Sequence, residues 1–226
     1  MKKAVVLDFY GTIVHEAYTL LDEIASVFHQ CGAACSVQEI HRLWWQSFAG
    51  LCDVSYGSNF RNQKTLYFSA FENMEKQTGV SVDKSSLVKS VIRFSLTSEP
   101  FDDALHFLRD CSLPCFILSN IDSNELCAMI NKYALKVKNF YTSEEAREYK
   151  PRKGIFEKGL KKFGLKPEEA VYIGDSLRND YYGALGAGID AVWLNRLNAE
   201  IPKGVISCPD FNSVLSLILN NEIFQD

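Results

Sequence analysis

The stretch Lys2–Thr12, KKAVVLDFYGT, decides how the rest of the chain is read. Ala4, Val5, Val6 and Leu7 form a run too short for a helix and rich in β-branched side chains, which predicts a strand buried on both faces of a parallel sheet. Asp8 follows at the carboxyl end of that strand, the edge where open α/β sheets bind ligands. A carboxylate there is costly unless the fold brings it a cation, a proton or water. Gly11 then marks a tight turn and Thr12 supplies a hydroxyl. Taken alone, the segment also fits an ordinary strand-to-turn junction, so the remaining chain has to decide.

Beyond Thr12 the period changes. Leu20, Leu21, Ile24, Val27 and Phe28 recur at three- and four-residue intervals and predict an amphipathic helix that ends at Cys31-Gly32. Further helical patterns fall at about 37–50, 59–78 and 83–95. No strand signal interrupts roughly eighty residues, which predicts a separate all-helical lobe inserted after the first strand. From Glu99 onward helix and strand alternate: a helix over Asp102–Asp110, a strand over Pro114–Leu118 ending on Ser119-Asn120, and a helix over Asn124–Lys132. A short extended segment follows at Lys138–Thr142, then a helix over Lys153–Phe163 closed by Gly164. Ala170–Ile173 reads as a strand ending on Gly174-Asp175, Tyr181–Gly188 as a helix packed closely on the sheet, and Ala191–Leu194 as another strand. Val205–Cys208 and a helix over Phe211–Leu219 follow. Repeated strand-then-helix units predict a parallel sheet with right-handed crossovers.

The 226 residues suit one large or two small domains, and the 47% apolar content is ample for a core. With 24 basic and 28 acidic residues the net charge is −4, without the basic footprint of a nucleic-acid binder. An acidic protein that handles phosphate must gather positive charge locally. Cysteines 31, 35, 52, 111, 115, 127 and 208 are odd in number and contain no Cys-x-x-Cys pair, which predicts free thiols in a reducing cytoplasm. Met-Lys-Lys imitates the start of a signal peptide, but Asp8 interrupts the apolar run, and no apolar stretch is long enough to cross a bilayer.

Four polar clusters stand out: Asp8 with Thr12, Ser119-Asn120, Asp175 with Asn179-Asp180, and Lys150 at the opening of a helix. A parallel sheet aligns the ends of its strands along one edge, so residues far apart in the chain can meet around one ligand. Carboxylates brought that close repel one another, and Mg²⁺, which prefers oxygen ligands and phosphate, is the natural counter-charge.

This arrangement resembles the haloacid dehalogenase superfamily, whose members are mostly magnesium-dependent phosphatases. The family's first motif, Asp-x-Asp-x-Thr, appears as Asp8-Phe9-Tyr10-Gly11-Thr12 with one change. The second matches Ser119, the third Lys150 in YKPRKGIF, and the fourth Gly174-Asp175-Ser176-Leu177-Arg178-Asn179-Asp180. The resemblance implies a Rossmann-like α/β core over residues 1–14 and 97–226 with an inserted helical cap over 15–96. It further implies that Asp8 is the nucleophile, forming an aspartyl-phosphate, and that Lys150 balances charge. Thr12, Ser119 and the amide of Asn120 would hold phosphoryl oxygens. Mg²⁺ would be held by Asp8, the main-chain carbonyl of Tyr10 and Asp175, with Asn179 and Asp180 in supporting positions. The substrate expected is a small phosphorylated metabolite, with no nucleic acid or membrane as partner.

The change is Tyr10, where the family's phosphatases carry the aspartate that protonates the leaving group. A phenol with a pKa near 10 is a poor substitute for a carboxyl group near 4. The same tyrosine occurs in the superfamily's 2-haloacid dehalogenases, which makes carbon–halogen hydrolysis an alternative. Those enzymes work without metal and tend to carry a tyrosine after the lysine, where this chain has Phe156. A third reading is a protein that binds metal or a phosphometabolite with little turnover. His15 and Glu16 are candidate replacement acids, or simply solvated hinge residues. Trp44-Trp45 could stack a base or sugar, although core packing of at least one is expected. Arg42, Arg61 and Lys64 read as solvated surface, Glu144, Glu145, Arg147 and Glu148 as an exposed polar helix or loop, and Gly183, Gly186 and Gly188 as close helix packing. Arg178 has no forced direction.

Overall fold

The computed structural model describes residues 2–16 and 18–219. In chain order the elements are β1 (Ala4–Leu7), α1 (Tyr18–Gln30), α2 (Val37–Val54), α3 (Gln63–Thr78), α4 (Lys84–Thr97), α5 (Asp102–Asp110), β2 (Cys115–Ser119), α6 (Ser123–Lys132), β3 (Asn139–Thr142), α7 (Ser143–Ala146), α8 (Lys153–Phe163), β4 (Ala170–Gly174), α9 (Gly183–Gly186), β5 (Asp190–Leu194), β6 (Ser207–Cys208) and α10 (Phe211–Leu219). Short 3₁₀ turns sit at Gly57–Asn59 and Pro167–Glu169. The chain divides into two units. One contains the described residues up to His15, Glu99–Ala146 and the described residues from Lys150; the other contains Glu16–Ser98 and Arg147–Tyr149.

In the first unit all six strands run parallel in the order β3-β2-β1-β4-β5-β6. The order reverses beside β1, and such a switch point opens a crevice at the carboxyl ends of the strands. Register does the rest. Leu7 pairs with Ile173, so Asp8 and Gly174 stand at the same height and Asp175 follows one residue later. Every residue of β1, β2 and β4 is buried, as their unbroken apolar runs require. Val6, Phe116, Leu118, Tyr172, Ile155 and Phe156 form much of one core layer. Phe107 of α5 and Phe211 of α10 pack on each other with ring centroids 4.6 Å apart.

The second unit holds α1–α4. Three of its helices start on side-chain caps, with Ser36, Asn62 and Asp83 accepting from the amides of Glu39, Thr65 and Ser86. Gly79 closes α3 in the left-handed conformation at φ 74°, where a side chain would be strained. Trp44 anchors its core, stacked near Phe48, Tyr67 and Phe71, whereas Trp45 is 44% exposed; neighbouring helical positions point to different faces. Arg42 pairs along its own helix with Glu39 and Gln46, and Arg61 donates to Ser69. Tyr149, brought in from the second chain segment, stacks on Phe60 and donates to the Arg61 carbonyl at 2.8 Å.

Two expectations need adjustment. The helix expected over Tyr181–Gly188 begins earlier, as a π-helical stretch over Leu177–Tyr182 that passes into α9, because Ser176 caps it by accepting from Asn179 N–H at 3.1 Å. Of the three glycines there, Gly183 is the packing residue, since a Cβ would press on the Phe156 ring; Gly186 faces open space and Gly188 turns the chain at φ 78°. The polar run before Lys150, expected as an exposed helix or loop, holds the short helix α7, whose Glu144 accepts from Ser123 N–H and whose Glu145 pairs with Lys162.

Candidate active site

Asp8, Asp175 and Asp180 each offer a carboxylate oxygen within 4.8 Å of the other two. Lys150 Nζ lies among them, 2.5 Å from Asp8 Oδ1 and 2.6 Å from Asp180 Oδ1, with its side chain 2% exposed. Burial alone would pull the lysine's pKa down. The carboxylates of Asp180 and Asp8 outweigh that and raise it, so the ammonium persists. Asp180 shows the opposite balance. Burial pushes it up to about 6 against the pull of Lys150, with Asp8 adding to the rise. The ammonium therefore bridges two of the three carboxylates.

That inventory tests whether a divalent cation fits. The donors are hard carboxylate oxygens and mutually close, the composition Mg²⁺ prefers. The residues fit the ion.

The loop after β1 is shaped for this cluster. Gly11 adopts φ +75°, and a Cβ built on it would run into the Asp175 carboxylate. Thr12 is fully buried, accepting from Asp175 N–H at 3.1 Å and donating to Asp175 Oδ1 at 3.2 Å. A Gly11→Ala substitution should cost about 1–2 kcal/mol in backbone strain alone, read as a fall in melting temperature of about 2–8 °C. A melting temperature equal to the parent's would show that the turn relaxes without disturbing Asp175.

Ser119 is buried at the end of β2. The Asn120 side chain brackets Lys150, accepting from its N–H at 2.7 Å and donating to its carbonyl at 3.2 Å. Asn179 stands in the π-helical stretch, its amide held by Ser176. Asp180 also accepts from Ser176 N–H at 2.9 Å, and a Cβ at Gly174 would collide with it. Tyr10 is partly exposed, with its ring edge-on to Phe9. The His15 ring lies 3.7 Å from that of Phe101. Phe156 is fully buried, edge-on to Tyr172.

Sequence reasoning missed three supports. Tyr172 Oη accepts from Lys150 Nζ at 2.9 Å and donates to the Leu118 carbonyl at 2.7 Å, and burial holds this phenol well above its ordinary pKa. Its signal was a hydroxyl inside an otherwise apolar strand. Arg196 donates to the Thr12 carbonyl at 3.0 Å, pairs with both oxygens of Asp103, and lies over the Phe101 ring. Trp193 Nε1 donates to the Asp175 carbonyl at 2.7 Å. Neither of the last two carries a local sequence signature.

Residues 2–188 match the family of haloacid dehalogenase-like hydrolases, and the chain belongs to it. A glyceraldehyde 3-phosphate phosphatase of Methanopyrus kandleri is 28% identical over 167 residues, 69% of each chain. One of the same name from Pyrococcus furiosus is 52% identical over 44 residues, which span 20% of this chain and 18% of the relative. Among solved structures, the L-2-haloacid dehalogenase of Xanthobacter autotrophicus superposes with a TM-score of 0.78 at 18% identity, over 97% of this chain and 99% of that one. A phosphatase of the same superfamily from Thermococcus onnurineus gives 0.65 at 22% identity, over 96% and 98%. At such identities these structures establish the fold alone.

Proposed function

We propose that the protein is a magnesium-dependent phosphatase of a small phosphorylated metabolite, working through an aspartyl-phosphate on Asp8. The observation that carries this reading is the meeting of the Asp8, Asp175 and Asp180 carboxylates at the switch point of the sheet, two of them bonded to one buried ammonium. The phosphatase names of the sequence relatives support the same chemistry.

Asp8 Oδ attacks phosphorus in line. The bond from phosphorus to the leaving oxygen breaks, and the phosphoryl group passes to the carboxylate. Ser119 Oγ and the Asn120 N–H hold phosphoryl oxygens, whereas Thr12 Oγ1, expected to join them, is buried with its proton on Asp175 and positions that carboxylate instead. Lys150 offsets negative charge between nucleophile and substrate, and Tyr172 and Asn120 keep it aimed. Water then hydrolyses the acyl-phosphate. Mg²⁺ would be held by Asp8, the main-chain carbonyl of Tyr10 and Asp175, with Asp180 and Asn179 in support, and when bound it supplies charge neutralisation at the phosphoryl group. The helical unit serves as a cap that excludes water during the reaction. Tyr10 offers no carboxylic acid to the departing oxygen, which favours leaving groups that are already acidic. No described helix is long and apolar enough to span a membrane, and the free cysteines suit a cytoplasmic setting.

Tyr10 also supports a second reading, carbon–halogen hydrolysis, in which Asp8 attacks carbon and halide leaves without needing a proton. A phosphate-release screen with and without Mg²⁺, run beside halide release from 2-haloacids, separates the two. The phosphatase reading expects magnesium-dependent phosphate release that is lost in Asp8→Asn. Metal-independent halide release without phosphate release overturns it, and silence in both with metal bound identifies a binding protein.

A further inference from the structure

At the carboxyl end of β5, one short segment holds Asp175 at two points. Trp193 Nε1 donates to the Asp175 carbonyl at 2.7 Å. Arg196, just past the strand, donates from Nη2 to the Thr12 carbonyl at 3.0 Å. Thr12 in turn accepts from Asp175 N–H and donates to Asp175 Oδ1. The guanidinium is itself fixed. Asp103, in the first turn of α5, accepts from Nη1 at 3.0 Å and from Nη2 at 3.1 Å on its two oxygens. Asp103 is anchored by Phe211 N–H at 2.8 Å, and the guanidinium carbon lies 3.7 Å from the centre of the Phe101 ring. The Arg196 and Asp103 side chains are only 15% and 16% exposed. We propose that Arg196 is a positioning residue that sets the affinity of the site for Mg²⁺, fixing the Asp175 carboxylate through Thr12 rather than acting as a ligand. This role rests on the magnesium reading of the site given above.

A guanidinium is a rigid planar fork, so pairing both arms with Asp103 leaves the second Nη2 proton pointing in one direction, at the Thr12 carbonyl. The rest of that loop is strapped as well, with Gly11 N–H on the Val14 carbonyl at 2.8 Å and Phe101 N–H on the Ile13 carbonyl at 3.0 Å. Thr12 therefore presents its hydroxyl to Asp175 from a fixed backbone. Mg²⁺ demands near-ideal octahedral geometry, so a carboxylate already held in place binds it more tightly than one that must first be ordered. Charge acts in the opposite sense. A cation near a divalent ion repels it, so if charge alone mattered, removing Arg196 would tighten Mg²⁺ binding. The sign of the change separates position from charge.

The test measures Mg²⁺ binding to the full chain by isothermal titration calorimetry, with folding checked by thermal melts in EDTA. Arg196→Met should weaken binding by about 10- to 100-fold, the range for a partner that orients a metal ligand. Arg196→Lys keeps the charge without the fork and should lose about 3- to 10-fold; it carries the test if the methionine variant does not fold. In a Thr12→Val background, where the link to Asp175 is already cut, adding the lysine or methionine substitution should cost less than about twofold more. Unchanged or tighter binding in the Arg196 variants overturns the inference and leaves the magnesium reading standing, as do losses that simply add in the Thr12→Val background. A parent chain that binds no Mg²⁺ overturns the magnesium reading and this role with it.

Discussion

Lys150→Met should destabilise the protein by about 3–5 kcal/mol in the absence of divalent metal, the usual result of removing one partner from a buried ion cluster. Methionine nearly preserves the volume, so the loss isolates charge from packing. Asp8 and Asp180, each bonded to the ammonium, would be left facing one another and Asp175 without that charge. The melting temperature should fall by about 6–20 °C. Mg²⁺ should restore more stability to the variant than it adds to the parent, because the ion then replaces the ammonium that Asp8 and Asp180 have lost. Turnover should drop by about 10²- to 10³-fold, the range for losing one group that stabilises transition-state charge. Lys153→Met provides the contrast. That side chain is exposed in an ion pair with Glu157, and its replacement should stay within about 0.5 kcal/mol. Equal melting temperatures for the parent and Lys150→Met, with no added response to magnesium, would remove Lys150 from the centre of the site.

Tyr10→Asp should accelerate hydrolysis of an alkyl phosphate by about 10²- to 10⁴-fold, the contribution of a positioned general acid, or roughly 3 to 5 kcal/mol of barrier. An aryl phosphate with an acidic leaving group departs without help and should gain far less. The comparison works because both substrates share every other group at the site, and metal binding is expected to survive since only the main-chain carbonyl of residue 10 is used. Steady-state kcat/KM on the two substrates, measured in parent and variant, gives the ratio directly. Equal acceleration of both would mean that Tyr10 acts on binding or loop position rather than on the missing proton.

The strands and most helices were legible because their information is local. Four buried apolar residues ending on a polar one specify a strand and its exit, as at Ala4–Leu7 and Ala170–Gly174. Helical spacing specified Asp102–Asp110 and Lys153–Phe163 to the residue. The beginning of the π-helical stretch was not legible, since it depends on a single cap from Ser176 and on Asp180 turning inward to Lys150. Nor was the splitting of the polar run before Lys150, where Glu144 and Glu145 serve α7 while Tyr149 belongs to the helical unit.

By itself the sequence determined the alternation of elements and the residue types waiting at the strand ends, because periodicity and strand termination are written in neighbouring positions. Only the tertiary structure decided which charges touch. Pairing Leu7 with Ile173 put Asp8 beside the loop carrying Asp175, and the Asn120 side chain fixed the backbone of Lys150 so that its ammonium could bridge Asp8 and Asp180. Tyr172 and Arg196 joined the site through partners 54 and 184 positions away. Contacts of that kind follow from strand order and register, which no local pattern encodes.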